Sequence, residues 1–273
     1  MSNRRQFIVA AGALGLSACA GVPGADGRTL KLVTFNIWHN QGDWEARRPL
    51  LIEAIRTENA DVIALQEVLQ DLPGLPLQAQ TIADGLGGGY RVFFSSVDGE
   101  DKPRRYGNAI LTRLPVIEHD WVALRPVDDY RTALRVRVDM SGRSVDICNT
   151  HLAYQPEAGA VRTEQIAHML EWLPDDGTPL IVMGDLNAQM TTPEISNLRG
   201  ARFTEVFSAL HPDRAMETTM NLGYYPGEGM HIDHVLVEKA HFEPVSSDII
   251  GQDATGGEWP SDHFGVSATV RLV

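Results

Sequence analysis

The residues of this 273-residue chain that can do chemistry stand where apolar runs stop. Asn36 follows the run 30–35, Glu67 the run 61–66 and His151 the run 144–150. Asp185 and Asn187 follow 180–184, while Asp233 opens 233–237 and the pair Asp262-His263 precedes 265–272. Carboxylates and carboxamides are hard oxygen donors that suit Mg²⁺ or Mn²⁺, whereas zinc sites more often gather several imidazoles or thiolates at close spacing. Mg²⁺ keeps several waters and takes one or two carboxylates plus a substrate phosphate, and Glu67 fits so sparse a ligand set. The remaining Asp and His residues then supply acid, base and phosphate-stabilising groups around it.

Strands and helices must bring these groups together. The run 180–183 has the length and composition of a strand buried on both faces. Gly184 is expected to end it in a sharp turn, so that Asp185 and Asn187 point the same way out of the sheet edge. Further strands are expected at 30–36, 61–67, 90–96, from 106, at 121–124, 132–138, 144–150, 231–237 and 265–272. Helical spacing of Leu50, Leu51, Ala54 and Ile55 predicts an amphipathic helix over 44–59. Another falls near 77–86, and a third over 162–173 carries Ile166, Met169, Leu170 and Leu173 on one face. The strand-rich pattern in two groups implies two packed sheets with helices outside, an α/β sandwich.

Taken in order, Thr34-Phe35-Asn36-Ile37, Gln66-Glu67-Val68, Gly107-Asn108-Ala109-Ile110-Leu111, Asn149-Thr150-His151-Leu152, Gly184-Asp185-Leu186-Asn187, Ile232-Asp233-His234 and Ser261-Asp262-His263 resemble the motifs of the endonuclease/exonuclease/phosphatase superfamily. The likeness covers essentially all of residues 30–273, and its weight comes from seven short motifs in sequence order. It implies a four-layered α/β sandwich of two mainly antiparallel sheets packed face to face, and metal-dependent attack of water on a phosphoester. By the same resemblance Glu67 binds the metal with Asn36, and Asp262 lies close to it. Asp185 orients and deprotonates the water, Asn187 contacts the phosphate, and His263, held by Asp233, stabilises its developing charge. His151 contacts a non-bridging oxygen or helps protonate the leaving group, which leaves the general acid open. Asn108 is a further candidate for the substrate phosphate or for capping backbone. Arg105, with Arg104, either holds phosphate or is a solvated loop residue. His234 points to the opposite strand face from Asp233 and reads as structural, while His39, His231 and Trp44 are placed at the mouth of the site. One departure is His231, which stands two before Asp233 where many family members have a basic residue.

The N-terminus reads as a signal peptide over 1–18. A charged stretch with the twin-arginine-like Asn3-Arg4-Arg5-Gln6-Phe7 precedes a short apolar run, and Leu16-Ser17-Ala18-Cys19 resembles a lipobox that would acylate Cys19. Residues 19–28 then form a flexible tether and 29–273 a single catalytic domain. Cleavage before Cys19 removes two arginines and no acids, moving the formal charge from −13 to −15. Cys148 is then the one other cysteine, so the mature chain has no internal disulfide. So acidic a chain disfavours nucleic-acid binding over a broad basic surface, though not a metal-dependent nuclease with a local basic rim. The favoured function is therefore an Mg²⁺-dependent phosphodiesterase or phosphatase, with Mn²⁺ as a substitute. It would be a lipid-anchored monomer of the bacterial envelope acting on a small or lipid-derived phosphoester. A secreted nuclease is the alternative, and a non-catalytic phosphate-binding lipoprotein stands behind both.

Overall fold

A computed structural model describes residues 29–273. The signal peptide, Cys19 and the tether lie outside the described residues. The chain begins with β1 (Thr29–Asn36), α1 (Trp44–Glu58), β2 (Val62–Asp71), α2 (Gln78–Leu86), β3 (Arg91–Ser96) and β4 (Arg104–Thr112). It continues with β5 (Val116–Ala123), β6 (Thr132–Met140), β7 (Arg143–His151), α3 (Gly159–Trp172) and β8 (Leu180–Asp185). α4 (Pro193–Arg199), β9 (Phe203–Glu205), α5 (Val206–Leu210), β10 (Asp233–Glu238), β11 (Phe242–Ile250) and β12 (Gly265–Leu272) complete it.

Strands β11-β12-β1-β2-β4-β3 form one six-stranded sheet and β5-β6-β7-β8-β10-β9 the other. Each is antiparallel except for one parallel pair, β1 with β2 and β7 with β8. Because side chains alternate along a strand, each sheet offers two apolar faces. Leu32, Ala64 and Ile110 of the first sheet meet Val136, Ile147 and Met183 of the second in the central core. The outer face of the first sheet, with Val33, Phe35, Ile63 and Leu65, packs on Leu51 and Ile55 of α1 and Ile82 of α2. Cys148, Val182 and Leu236 on the far face of the second sheet pack on Ile166 and Met169 of α3 and Leu198 of α4. The result is the expected four-layered sandwich.

Two local expectations are corrected. The buried face of α1 is Trp44, Arg47, Leu51, Ile52 and Ile55; Leu50 and Ala54 are only half-buried, so the face is rotated from the one read off the apolar residues. Gly184 does not end its strand, since β8 runs on through Asp185. A Cβ at Gly184, whose φ is +146°, would stand 1.9 Å from the carbonyl oxygen of Thr150 on parallel β7. Glycine is needed there for close approach of two strands. The turn comes later, at Asn187, with φ +49°.

Candidate active site

Glu67 owes its position to an interrupted ladder. The register of β2 against β4 breaks between Leu65 and Val68, and Glu67 adopts φ +57°, a left-handed conformation that a non-glycine residue holds only when its surroundings impose it. The imposing group is Asn149 of β7. Its amide donates to the carbonyls of Leu65 (2.9 Å) and Ala109 (2.8 Å), while its oxygen accepts from Gln66 Nε2 at 2.8 Å. One buried carboxamide from the second sheet thus fixes the bulge in the first that turns Glu67 outward.

The other groups arrive from both sheets. Asn36, at the end of β1, directs Nδ2 to Asp185 Oδ2 (2.9 Å) and Glu67 Oε1 (3.3 Å), and its Oδ1 accepts from the Trp38 amide. His151 Nε2 stands 3.3 Å from Asp185 Oδ2, and His263 Nε2 3.8 Å from the same oxygen. His263 Nδ1 bonds Asp233 Oδ2 at 2.9 Å. The Ser261 hydroxyl donates to the Asn36 carbonyl at 2.7 Å, tying the 260–263 segment to β1. Seven of the residues singled out in the sequence, Asn36, Glu67, His151, Asp185, Asp233, Asp262 and His263, are therefore gathered at one end of the sandwich. Glu67, His151 and Asp262 of this group line a cleft of about 510 Å³, and the hydrogen bonds and close approaches above put the others directly behind them.

Burial sets the charges. Desolvation, then the neighbouring charges of Arg131 and His263, pushes the His151 imidazole well below its ordinary value, so it is neutral at pH 7. Burial opposes charge on His263 too, but the carboxylates of Asp233 and Asp185 outweigh it and hold the ring as an imidazolium. Desolvation and the charge of Asp233 raise the Asp185 carboxyl, against the pull of the His263 charge and the hydrogen bonds from Asn36 and the Asn187 amide. Burial and the nearby Glu67 carboxylate push Asp262 up to about 6, against the pull of His263. Two crowded carboxylates and an amide, all oxygen donors, are what a hard divalent cation relieves, so the residues present fit Mg²⁺. Asp185, Asp233 and His263 also bring one donor atom each within 4.8 Å of one another, and Asp233 Oδ1 is buried without a partner.

Other expected residues take different places. Asn187 donates its backbone NH to Asp185 Oδ1 (2.9 Å) and its Nδ2 to the Leu152 carbonyl (3.1 Å), so its amide braces the loop. Asn108 is buried with Nδ2 on the carbonyl and hydroxyl of Thr132, joining β4 to β6. Arg104 pairs with Asp71 at 2.6 Å, and the Arg105 guanidinium lies over the Phe94 ring; neither lines the cleft. His39 does line it, but Trp44 is buried beneath Arg47, and His231, buried with Nδ1 on the Glu217 carbonyl, lies elsewhere. His231 therefore does not take the place of the family's basic residue at the phosphate.

Of the clustered arginines that the sequence offers for a local basic rim, Arg131 is the one that lines the cleft, 3.5 Å from Asp129. Two features were not foreseen. Trp38, Tyr106, Tyr130, Tyr154 and Tyr225 ring the opening. Arg47, wholly buried, donates to the carbonyls of Ile37, Trp38, His39, Gln41 and Pro260 at 2.8–3.3 Å, clamping both loops that flank the site. Its signal in the sequence is a cation four residues before Leu51, on the apolar stripe of α1.

The fold has counterparts. The human nocturnin catalytic domain, solved with bound sulfate, superposes with a TM-score of 0.72 at 20% identity over 90% of this chain and 94% of that one. The Danio rerio TDP2 structure with a single-stranded DNA product gives 0.74 at 20% identity over 89% and 99%. In sequence, the uncharacterized Escherichia coli protein YbhP is 30% identical over 58% of this chain and 67% of its own length. Tyrosyl-DNA phosphodiesterase 2 of Gallus gallus is 25% identical over 87% and 66%. A profile of the Endonuclease/Exonuclease/phosphatase family spans residues 33–263, which takes in every strand end described above. By that match and by its fold, the chain belongs to the Endonuclease/Exonuclease/phosphatase family.

Proposed function

We propose that this protein is an Mg²⁺-dependent phosphoester hydrolase of the bacterial envelope, held to a membrane by a lipid on Cys19 and acting on a small or lipid-derived phosphoester. The observation that carries the chemistry is the Asp233–His263 pair at 2.9 Å, with His263 Nε2 3.8 Å from Asp185 Oδ2, beside a cleft lined by Glu67, His151 and Asp262. The export and anchoring rest on the sequence 1–19 alone. Glu67 and Asp262, with Asn36 beside them, are the residues to hold the cation. When bound, Mg²⁺ supplies positive charge at the phosphoryl oxygens and orients the ester.

The chain's own groups do the rest. Asp185, fixed by Asn36 and the Asn187 amide, points Oδ2 between His151 and His263 and is placed to orient a water and take its proton. His263, kept cationic and in one orientation by Asp233, presents Nε2 to the phosphate as charge builds on it. Neutral His151 can donate or accept at a non-bridging oxygen. Arg131 adds the one cleft-lining guanidinium, so a single phosphate suits this cleft better than a long polyanion.

The test is hydrolysis of phosphomonoester and phosphodiester model substrates with Mg²⁺ and with EDTA, followed by lipid-derived phosphoesters. Activity that Mg²⁺ restores and Glu67→Ala abolishes supports the reading; equal rates in EDTA and Mg²⁺ refute it. A nuclease is the second reading, and the aromatic ring of Trp38, Tyr130, Tyr154 and Tyr225 favours it, since such side chains stack on unpaired bases. Cleavage of single-stranded oligonucleotides faster than of any lipid-derived or small ester would select it.

A further inference from the structure

A second cluster of ligand-type side chains lies away from the cleft, beneath α5. Glu205 closes β9, His234 sits on β10, and His231 precedes that strand. All three are at most 2% exposed, and each offers one donor atom within 4.8 Å of the others.

The hydrogen bonds around the cluster fix which atoms face inward. His231 Nδ1 lies 2.7 Å from the Glu217 carbonyl, and His234 Nε2 lies 2.9 Å from the Ala188 carbonyl. A carbonyl only accepts, so each of those nitrogens carries its proton. In a neutral ring the other nitrogen is then a bare lone pair. Those two atoms, His231 Nε2 and His234 Nδ1, are both buried and have no hydrogen-bond partner. Glu205 meanwhile has its oxygens anchored by the amides of Phe207 and Ser208.

We propose that Glu205, His231 and His234 form a buried structural site for a zinc-class divalent cation, separate from the cleft. Two imidazoles and a carboxylate are a zinc-type donor set, unlike the oxygen donors of the cleft. Ligating histidines typically give their second N–H to a carbonyl or carboxylate, as both rings do here. His234 Nδ1 and Glu205 Oε1 are 3.9 Å apart. The edge of a zinc tetrahedron is about 3.4 Å for bonds of about 2.1 Å, so a small movement of one ring closes the site. A proton shared by His234 and Glu205 is the simpler occupant. It leaves His231 Nε2 unpartnered, and 3.9 Å is too long for that hydrogen bond. A cation satisfies all three groups and pins β9 and α5 to β10 and to the backbone at Glu217.

The probe is Zn²⁺ itself, titrated into the EDTA-treated full chain against a chromophoric chelator, with excess Mg²⁺ present to occupy the cleft. The expected result is one tightly held Zn²⁺ per chain, retained in Glu67→Ala. His231→Asn keeps a donor for the Glu217 carbonyl and His234→Gln one for the Ala188 carbonyl, so both preserve the local bonding while deleting a ligand. Each should weaken Zn²⁺ at least about 100-fold, with circular dichroism unchanged. Co²⁺ in the wild type should give the intense visible bands of a tetrahedral site, and His234→Gln should abolish them. Three results each overturn the proposal: no stoichiometric Zn²⁺ in a folded wild-type chain, a Zn²⁺ equivalent that survives both histidine variants, or one that disappears in Glu67→Ala. Should a histidine variant fail to fold, Glu205→Gln, which keeps one of the two acceptors for the α5 amides, and the Co²⁺ spectrum of the wild type decide the matter in the same way.

Discussion

Strand β10 separates two regions built to opposite rules. Asp233 and His234 are neighbours in sequence, and the pleat sends them to opposite faces. Asp233 orients His263 at the edge of an open cleft whose donors are oxygens, with aromatic rings and Arg131 around the mouth. His234 faces a sealed cluster whose donors are two imidazoles and a carboxylate, with no opening to solvent. The open region keeps polar groups uncompensated, so Asp185 and Asp262 are pushed upward by burial and by neighbouring acids. In the closed region, by contrast, each imidazole is anchored at one end to a backbone carbonyl. Accessible and strained is the condition for turnover, and enclosed and braced the condition for holding a fold together.

The largest effect expected from that contrast is catalytic. His263→Ala and Asp233→Asn should each lower kcat by about 10⁴-fold, as loss of an imidazole or of the carboxylate that orients it does in other hydrolases. Zn²⁺ content should not change. Steady-state rates alongside metal analysis check this, and a fall in both quantities would merge the two regions into one. A smaller effect comes from beneath the cleft. Arg47→Leu strands the buried carbonyls of Ile37 and Pro260 and removes a donor from those of Trp38, His39 and Gln41, so stability should drop by about 3 kcal/mol, and activity should fall with it while the cluster under α5 keeps its Zn²⁺. Denaturant unfolding measures the first part. Smaller again, Arg131→Met removes a cleft-lining guanidinium and should raise KM about 10-fold for an anionic substrate with kcat nearly constant. A change confined to kcat would move Arg131 from binding to chemistry.

What the sequence made legible follows the same division. Groups at the ends of apolar runs were readable because a strand must stop where a charge can be solvated or paired, so Asn36, Glu67, His151, Asp185, Asp233, Asp262 and His263 could be placed together without coordinates. The two-sheet architecture was readable for a similar reason, from alternating runs. Side chains whose role depends on long-range approach were not. Arg47 looks like one more charge on a helix until Pro260, 213 residues away, is found on its guanidinium. Gly184 looked like a strand terminator because its necessity lies in the Thr150 carbonyl of a neighbouring strand. His231 was set at the mouth from its spacing to Asp233, but that segment precedes β10 and turns inward to Glu217. Arg131 could be offered only as one of several clustered arginines, and the tyrosines of the cleft have no periodicity to mark them.

The smallest effect tests the electrostatic half of the contrast. Asp262 in the fold holds its proton up to about 6, and Asp185 is also raised, so folding favours their neutral forms. A carboxyl raised above its unfolded value of about 4 contributes stability that is complete below that pH and lost as pH climbs through the folded value. The raised His263 obeys the same sign but releases its proton higher still, so it adds no slope in this window. His151 and His231, both held below their ordinary value, carry the opposite sign over the same range, so the quantity to read is the Mg²⁺ increment and not the melting temperature in EDTA. Mg²⁺ binds the ionised acids of the folded chain only, and mass action makes its stabilisation grow as they ionise. The Mg²⁺ increment should be larger at pH 7.5 than at pH 5 by about 3 °C, the shift that about 1 kcal/mol gives in a domain of this size. His234→Gln should leave that difference intact, because its ring belongs to the other face of β10. If the Mg²⁺ increment is equal at the two pH values, the acids of the cleft are not what the cation relieves.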